Sequence, residues 1–126
     1  GHKFTCIENV MKAPLRADLI LHGHMFGLKV IRRRQFELSY GSLMLTPPCP
    51  RGLYREGFVC VVGTGTPSGY KRMGLPNTTM KQRSDAMGID WMNPAELSNS
   101  VPPAYSEYIG REAVKHIRAT HGLGLV

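Results

Sequence analysis

A short apolar stretch near the start of the chain, FTCI at residues 4–7, runs directly into Glu8, Asn9 and Val10. Its β-forming residues and abrupt polar end predict a buried strand that delivers Glu8 and Asn9 at its carboxyl end. Ligands bind at that edge in open α/β sheets. In a sheet of that kind, the strand would place Glu8 and Asn9 where ligands bind, which makes them candidate site residues.

Two further strands are predicted in the first 40 residues. A short apolar run at residues 19–21 enters a turn at residues 22–24. Residues 30–37 then begin with two aliphatic residues, after which Arg32, Arg34 and Phe36 alternate with Arg33, Gln35 and Glu37. This period of two predicts one strand that carries Arg32 and Arg34 on the same face.

The second half of the chain predicts helices. Residues 81–87 are compatible with a helix that stops at Gly88, and Asn93 is a suitable N-cap for a short helix at residues 94–97. Ser100 is a candidate cap for a final amphipathic helix that ends at residues 121–122. The apolar stripe of this helix consists of Tyr105, Tyr108, Ile109, Ala113 and Ile117.

Residues 46–80 are irregular and basic. They are rich in Gly and Pro around one apolar strand at residues 58–62. The whole chain has 126 residues and a formal net charge of +7, and the span from Lys29 to Arg83 contains ten basic and two acidic residues. This span thus carries +8 and the flanks −1. The pattern indicates contact with a polyanion such as nucleic acid, and the alternative is a solvated basic surface.

Several classes of protein are excluded by the composition. No stretch has the roughly 18 consecutive apolar residues of a membrane span, and the N-terminal residues lack the layout of a secretory signal, so we expect a cytoplasmic protein. The three cysteines are odd in number and lack CxxC spacing, which fits neither a disulfide scaffold nor a four-ligand zinc site. His22 and His24 have no third ligand nearby, so no metal site is expected.

Three segments, in this order, resemble motifs of the C-terminal half of DNA cytosine-5 methyltransferases. IENV at residues 7–10 is similar to the E-N-V motif, RRRQF at residues 32–36 to the Q-x-R-x-R-x-F strand, and SNSVPP at residues 98–103 to G-N-x-V-P-P. We name residues 98–103 the closing segment. Further phrases familiar from phage-encoded members are APLR, MFGL, AMGIDWM and PPAYSEYIG.

The resemblance implies a fold and a cofactor. The fold is part of a Rossmann-like methyltransferase that depends on S-adenosylmethionine, with the last sheet strands, a C-terminal helix and a small β-rich target recognition region. Residues 1–40 would be the strands of the catalytic domain, residues 41–80 the recognition region, and residues 81–126 the closing segment and the terminal helix. The chain would bind double-stranded DNA in a bacterial or phage-infected cell, as in restriction-modification.

The resemblance also assigns roles to individual residues. In this family a cytosine is flipped out of the duplex and attacked by a cysteine thiolate. Glu8, oriented by Asn9, would share a proton at the ring N3, and Arg32 and Arg34 would hold the base, its phosphate or the Glu8 carboxylate. Asn99, Ser100 and Val101 would close over the cofactor. Candidate DNA contacts are Arg33, Tyr54, Arg55, Tyr70, Lys71 and Arg72.

Two parts of the family pattern do not occur in this sequence: the F-x-G-x-G cofactor loop and the P-C-Q nucleophile loop. PPCP at residues 47–50 follows E-N-V and lacks the Gln, and Ser98 replaces the usual Gly. We therefore expect both loops on a preceding half or a partner subunit, and we expect the apolar face of the final helix to be exposed or paired without it. The alternatives are a non-catalytic DNA-binding module and a self-sufficient enzyme that uses Cys49.

Overall fold

The computed structural model describes residues 3–39, 46–61, 72, 74–75 and 77–125, with side chains as far as Thr120. Within these residues the chain forms two small sheets and three helices. The strands are β1 (Cys6–Asn9), β2 (Leu19–Leu21), β3 (Val30–Ile31), β4 (Arg34–Leu38) and β5 (Val59–Cys60). The helices are α1 (Met80–Met87), α2 (Pro94–Asn99) and α3 (Pro103–Leu125), and two 3₁₀ turns lie at Gly23–Phe26 and Leu53–Glu56.

The larger sheet has β4 at its centre. β1 and β2 both pair with β4 in the antiparallel sense, in the order β1-β4-β2. Asn9 lies opposite Gln35, and Leu21 lies opposite Arg34. The carboxyl ends of β1 and β2 therefore lie beside the first residues of β4, at the same end of the sheet.

The prediction of a buried first strand is wrong. β1 begins at Cys6, and all four of its residues are exposed, with Ile7 at 50%. β1 lies at the edge of the described sheet, and the helix that covers the sheet packs its buried residues against β2 and β4. Glu8 and Asn9 are part of this strand and do not follow it.

The predicted strand over residues 30–37 is divided in two. Val30 and Ile31 pair in parallel with β5, whereas β4 begins at Arg34 and joins the antiparallel sheet. The chain changes from one sheet to the other at Arg32 and Arg33, so the expected alternation does not continue through this point. The strand predicted at residues 58–62 is also shorter, because β5 covers Val59–Cys60 and residue 62 lies outside the described residues.

A first cluster of buried side chains lies between the larger sheet and α3. Leu19 and Leu21 of β2, with Phe36 and Leu38 of β4, pack against the start of α3. From α3, the cluster contains Tyr105 and Ile109, and Ala113 one turn further is also buried. The expectation that this face is exposed or paired in isolation is therefore wrong for its first turns, since the sheet of the chain itself covers Tyr105 and Ile109 and the half-buried Tyr108 packs against the same cluster. Ile117, further along the stripe, is 43% exposed.

A second cluster lies around β3, β5 and the two shorter helices. It consists of Val30, Val61, Ala86, Met87, Ile89 and Leu97, and these six residues are at most 6% exposed. β5 lies in the predicted recognition region, yet it pairs with β3 of the first 40 residues. The boundaries at residues 40 and 80, like the methyltransferase fold itself, stay predictions.

The helix ends are determined by local side chains. Asn93 accepts a hydrogen bond from the Glu96 amide, and Glu96 accepts one from the Asn93 amide, so the predicted cap of α2 is confirmed as a capping box. α1 ends at Gly88, as predicted, with φ at 72°, a conformation that favours glycine.

The limits of α3 differ from the prediction. Ser100 donates to the Leu97 carbonyl and ends α2, so it does not cap α3. The helix also continues past residues 121–122 to Leu125.

Candidate functional site

Glu8 and Arg34 form an ion pair on the larger sheet. Arg34 Nε lies 3.0 Å from Glu8 Oε1, and the side chains are 17% and 36% exposed for arginine and glutamate. Glu8 lies opposite Phe36, so Arg34 is its diagonal neighbour on the same face of the sheet. The strand register alone thus brings together two residues that are 26 positions apart. They lie on the same face of the sheet as Phe36 and Leu38, which α3 covers.

Arg32 lies in a different environment from Arg34. It is 4% exposed, and its guanidinium group donates to three main-chain carbonyls. Nε and Nη2 donate to Ser100 at 3.0 and 2.6 Å, Nη2 donates to Ser98 at 2.6 Å, and Nη1 donates to Val61. Loss of water around the charge, with some repulsion from Arg34, lowers the pKa of Arg32 to about 10. The described hydrogen bonds of this side chain are thus with the closing segment and with Val61, the residue that follows β5.

Tyr105 holds the main chain of Arg32. Its hydroxyl donates to the Arg32 carbonyl, and its fully buried ring contacts Phe26 and Phe36 at centroid distances of 5.3 and 6.5 Å. Burial raises the pKa of the Tyr105 hydroxyl well above its usual value. The sequence predicted Tyr105 as a helix-face residue, but no pattern in it indicated the hydrogen bond, which spans 73 positions.

Gln35, on the opposite face of the sheet from Tyr105, also holds main-chain carbonyls. It is 4% exposed, and its Nε2 donates to the carbonyls of Val10 and Ala13 at 2.9 and 2.7 Å. Gln35 therefore holds the loop that follows Glu8 and Asn9. The sequence predicted a strand at this position and no role for Gln35. A glutamine among strand residues can still indicate a structural role, because a buried amide group needs hydrogen-bond partners.

Asn9 and the closing segment have mainly local contacts. Asn9 Oδ1 accepts from the Val10 amide at 2.8 Å. Asn99 Nδ2 donates to the Ala95 carbonyl at 3.1 Å, and the side chain is exposed. Ser100 and Val101 are half-buried. Arg32 holds this segment through the carbonyls of Ser98 and Ser100.

The candidate DNA contacts are spread over the described surface. Arg33 and Arg55 are exposed, and the Arg55 guanidinium lies 5.6 Å from the centroid of the half-buried Tyr54 ring. Arg72 is exposed as well, whereas Tyr70 and Lys71 lie outside the described residues. Arg33, Arg55 and Arg72 thus have the exposure that phosphate contacts need.

The cysteines differ in environment. All three carry thiols without disulfides, and Cys49 Sγ donates to the neighbouring Pro50 carbonyl at 3.7 Å. Burial raises the pKa of Cys60, and the charges of Arg32 and Arg34 oppose this rise. Cys60, which sequence reasoning left without a role, therefore lies within electrostatic reach of both arginines.

His22 and His24 lie close together in the described part of the chain. His22 Nε2 lies 3.2 Å from the Pro47 carbonyl oxygen, and the rings of His22 and His24 stack with centroids 6.1 Å apart. Among the residues that the structure describes, no three His, Cys, Asp or Glu side chains form a group that could hold a metal ion. The described helices likewise include none that is long and apolar enough to cross a membrane.

No protein-family model, curated protein or solved structure matches this chain. The geometry and the motifs are therefore the basis for any functional assignment.

Proposed function

We propose that this chain is the C-terminal portion of a DNA cytosine-5 methyltransferase. It would bind duplex DNA and contribute to the sites for the flipped cytosine and S-adenosylmethionine. The nucleophile loop would be supplied by a preceding half or a partner subunit, in the cytoplasm of a bacterial or phage-infected cell. The observation that carries the proposal is the 3.0 Å contact between Arg34 Nε and Glu8 Oε1, which joins two of the three motif segments.

The third motif segment supports the proposal in the same way. Arg32, from the same motif as Arg34, donates to the carbonyls of Ser98 and Ser100 in the closing segment. Three segments that resemble one family, and that are separated by 22 and 62 positions along the chain, are thus connected through one pair of arginines. The resemblance implied a contact of the arginines with Glu8 as one of three alternatives, and it implied no contact between Arg32 and the closing segment.

In the proposed mechanism, Glu8 acts on the cytosine ring. Arg34 donates to Oε1, and the other carboxyl oxygen shares a proton with N3 of the flipped base, which stabilises the negative charge that develops on the ring when a thiolate attacks it. Arg34 fixes the direction of the carboxylate through a charge-assisted hydrogen bond. The bound cofactor would supply the methyl group, with Asn99 and Val101 as one wall of its site.

Methyl transfer tests this function directly. The natural chain that contains this sequence, with any partner subunit, is incubated with duplex DNA and S-adenosylmethionine that carries a labelled methyl group. We expect labelled cytosine, and we expect Glu8→Gln to lower kcat about 100-fold or more, the usual contribution of a positioned acid or base. Glu107→Gln is the matched control, since Glu107 is exposed on α3 and pairs with Arg111. Unlabelled DNA with the unmodified protein would refute the proposal.

A second candidate is a DNA-binding module without methyl transfer. The observation in its favour is that four arginines of the basic span from Lys29 to Arg83 are exposed, namely Arg33, Arg51, Arg55 and Arg72. Duplex affinity that falls steeply with salt, together with no methyl transfer in the presence of the complete protein, would favour this candidate. A covalent adduct with a 5-fluorocytosine duplex would exclude it, and loss of that adduct in Cys49→Ser would identify Cys49 as the nucleophile.

A further inference from the structure

The two arginines of one motif have different partners. Arg34 is half-buried and pairs with a carboxylate, whereas Arg32 is 4% exposed and donates to carbonyls of Val61, Ser98 and Ser100. A side chain with these partners has its donors directed into the protein and little surface left for a base or a phosphate. The shared motif therefore does not imply a shared role.

The partners of Arg32 match the shape of a guanidinium group. Its planar fork presents five N–H donors in fixed directions, and the structure uses Nε, Nη1 and Nη2 together. A lysine at this position would keep the charge. Its single nitrogen atom could not replace the three nitrogen atoms that donate to three carbonyls on two segments. The arrangement thus depends on arginine and not simply on a positive charge.

The main chain of Arg32 is fixed as well. The Tyr105 hydroxyl donates to the Arg32 carbonyl from the first turn of α3. Arg32 is thereby connected to Ser98 and Ser100 in the first half of the closing segment and to Tyr105, which follows its end. Movement of the segment relative to β4 would break several of these bonds together.

We propose that Arg32 is a positioning residue that fixes the closing segment for cofactor binding, whereas Arg34 of the same motif acts on Glu8 and the substrate. This proposal rests on the proposed function. It assigns the two arginines to different steps, because a loose closing segment weakens the binding of S-adenosylmethionine, while a displaced Glu8 slows the chemical step.

The test compares Arg32→Lys with Arg34→Lys in the natural chain with any partner subunit. For Arg32→Lys we expect KM for S-adenosylmethionine to rise about 10-fold, with KM for duplex DNA unchanged, because about 1.4 kcal/mol of lost binding corresponds to this factor. For Arg34→Lys we expect kcat to fall about 10-fold or more, with KM for the cofactor unchanged. Arg111→Lys is the matched control, since Arg111 is exposed on α3, where it pairs with Glu107.

Hydrogen exchange gives a readout that does not depend on activity. The Ser100 and Tyr105 amides donate to the carbonyls of Leu97 and Pro102, so their exchange reports the order of the closing segment. We expect Arg32→Lys to accelerate exchange in residues 98–105 about 10-fold, and Arg34→Lys to leave it unchanged. If Arg32→Lys does not fold, Tyr105→Phe carries the same test, because it removes the hydroxyl that holds the Arg32 main chain and keeps the ring.

Two results would overturn the proposal. One is a fall in kcat or in DNA affinity for Arg32→Lys with cofactor KM and exchange unchanged, since Arg32 would then contact the substrate. The other is faster exchange in Arg32→Lys without any change in KM for the cofactor, which would leave Arg32 a purely structural role. A complete absence of methyl transfer in the unmodified protein is a different result, because it refutes the proposed function itself.

Discussion

The first and second clusters stabilise the chain by different means. In the first cluster, β2 and β4 pack against the long helix α3, and the partners are far apart in sequence, as Leu19 and Tyr105 are. In the second cluster, β3 and β5 share a ladder of two residues, and the two short helices begin at capping boxes. The comparison teaches that the first cluster depends on distant packing, while the second also depends on local signals at helix ends.

The largest effect is expected at Tyr105, which is fully buried in the first cluster. Tyr105→Ala removes a ring that contacts Phe26 and Phe36, and we expect the free energy of unfolding to fall by about 3–5 kcal/mol. Chemical denaturation followed by circular dichroism measures this change.

Tyr105→Phe separates the ring from the hydroxyl. We expect a loss of about 1–2 kcal/mol, since the ring stays and the buried Arg32 carbonyl loses its donor. Equal losses for the two variants would contradict the view that the ring is the main contribution of Tyr105 to the first cluster.

The corresponding residue of the second cluster is Leu97, which is 1% exposed. Leu97→Ala leaves a cavity beside Val30 and Met87, and we expect the free energy of unfolding to fall by about 2–4 kcal/mol, again measured by denaturation. Val114→Ala is the matched control, because Val114 is 44% exposed and should change stability by less than about 0.5 kcal/mol. A larger loss in the control would mean that Val114 is covered in solution.

The caps of α1 and α2 test the local part of the comparison. Asn93→Ala removes the acceptor for the Glu96 amide, and Thr79→Ala removes the acceptor for the Gln82 amide. We expect each variant to lose about 1 kcal/mol in denaturation. Asn93→Gly is the control, because glycine at a cap costs only a few tenths of a kcal/mol. If neither alanine variant changed the free energy of unfolding, packing alone would determine where the short helices begin.

The parts of the fold that the sequence predicted are those determined by neighbours along the chain. Asn93 followed by Pro94 predicted the start of α2, and Gly88 predicted the end of α1, because caps involve residues within one turn. The exposure of β1 could not be predicted in this way. Whether a short apolar strand is buried depends on what packs against it, and α3 packs against the other two strands.

The candidate site shows the same division. The sequence predicted Glu8 and Arg34 as site residues, and the strand register brings them into contact. The family resemblance implied the same role for Arg32 and Arg34, because both align with arginines of one motif, and the period of two predicted that they share a face. The burial of Arg32 arises from carbonyls 29 to 68 positions away, and a local pattern contains no information about such partners.

We expect acid to lower the stability of the first cluster through protonation of Asp18. Asp18 accepts from Arg16 Nε at 2.7 Å and from the Leu38 amide of β4 at 2.8 Å. These two hydrogen bonds lower the pKa of Asp18 below its usual value. The stability that they add is present above the unfolded pKa, about 3.9, and is lost as the pH falls through the lower pKa of the folded state.

Thermal melts between about pH 6 and pH 2 test this prediction. We expect Asp18→Asn to lower the melting temperature at pH 6 and to reduce its further fall below pH 4, since asparagine does not titrate. Asp85→Asn is the matched control, because Asp85 lies on α1 and pairs with the exposed Lys81. The same acid dependence in Asp18→Asn and the unmodified chain would show that other carboxyl groups are responsible.

The smallest effect on stability is expected at Glu8, which lies beside the first cluster without belonging to it. The pair with Arg34 is partly exposed, so water screens it, and we expect Glu8→Gln to change the free energy of unfolding by less than about 1 kcal/mol. Denaturation of Glu8→Gln beside Tyr105→Phe measures the difference. A small change in stability, together with the large fall in kcat expected for the same variant, would separate Glu8 from the residues that hold the fold. A loss as large as that of Tyr105→Ala would instead make Glu8 a structural partner of Arg34, and the ion pair would no longer favour a role in catalysis.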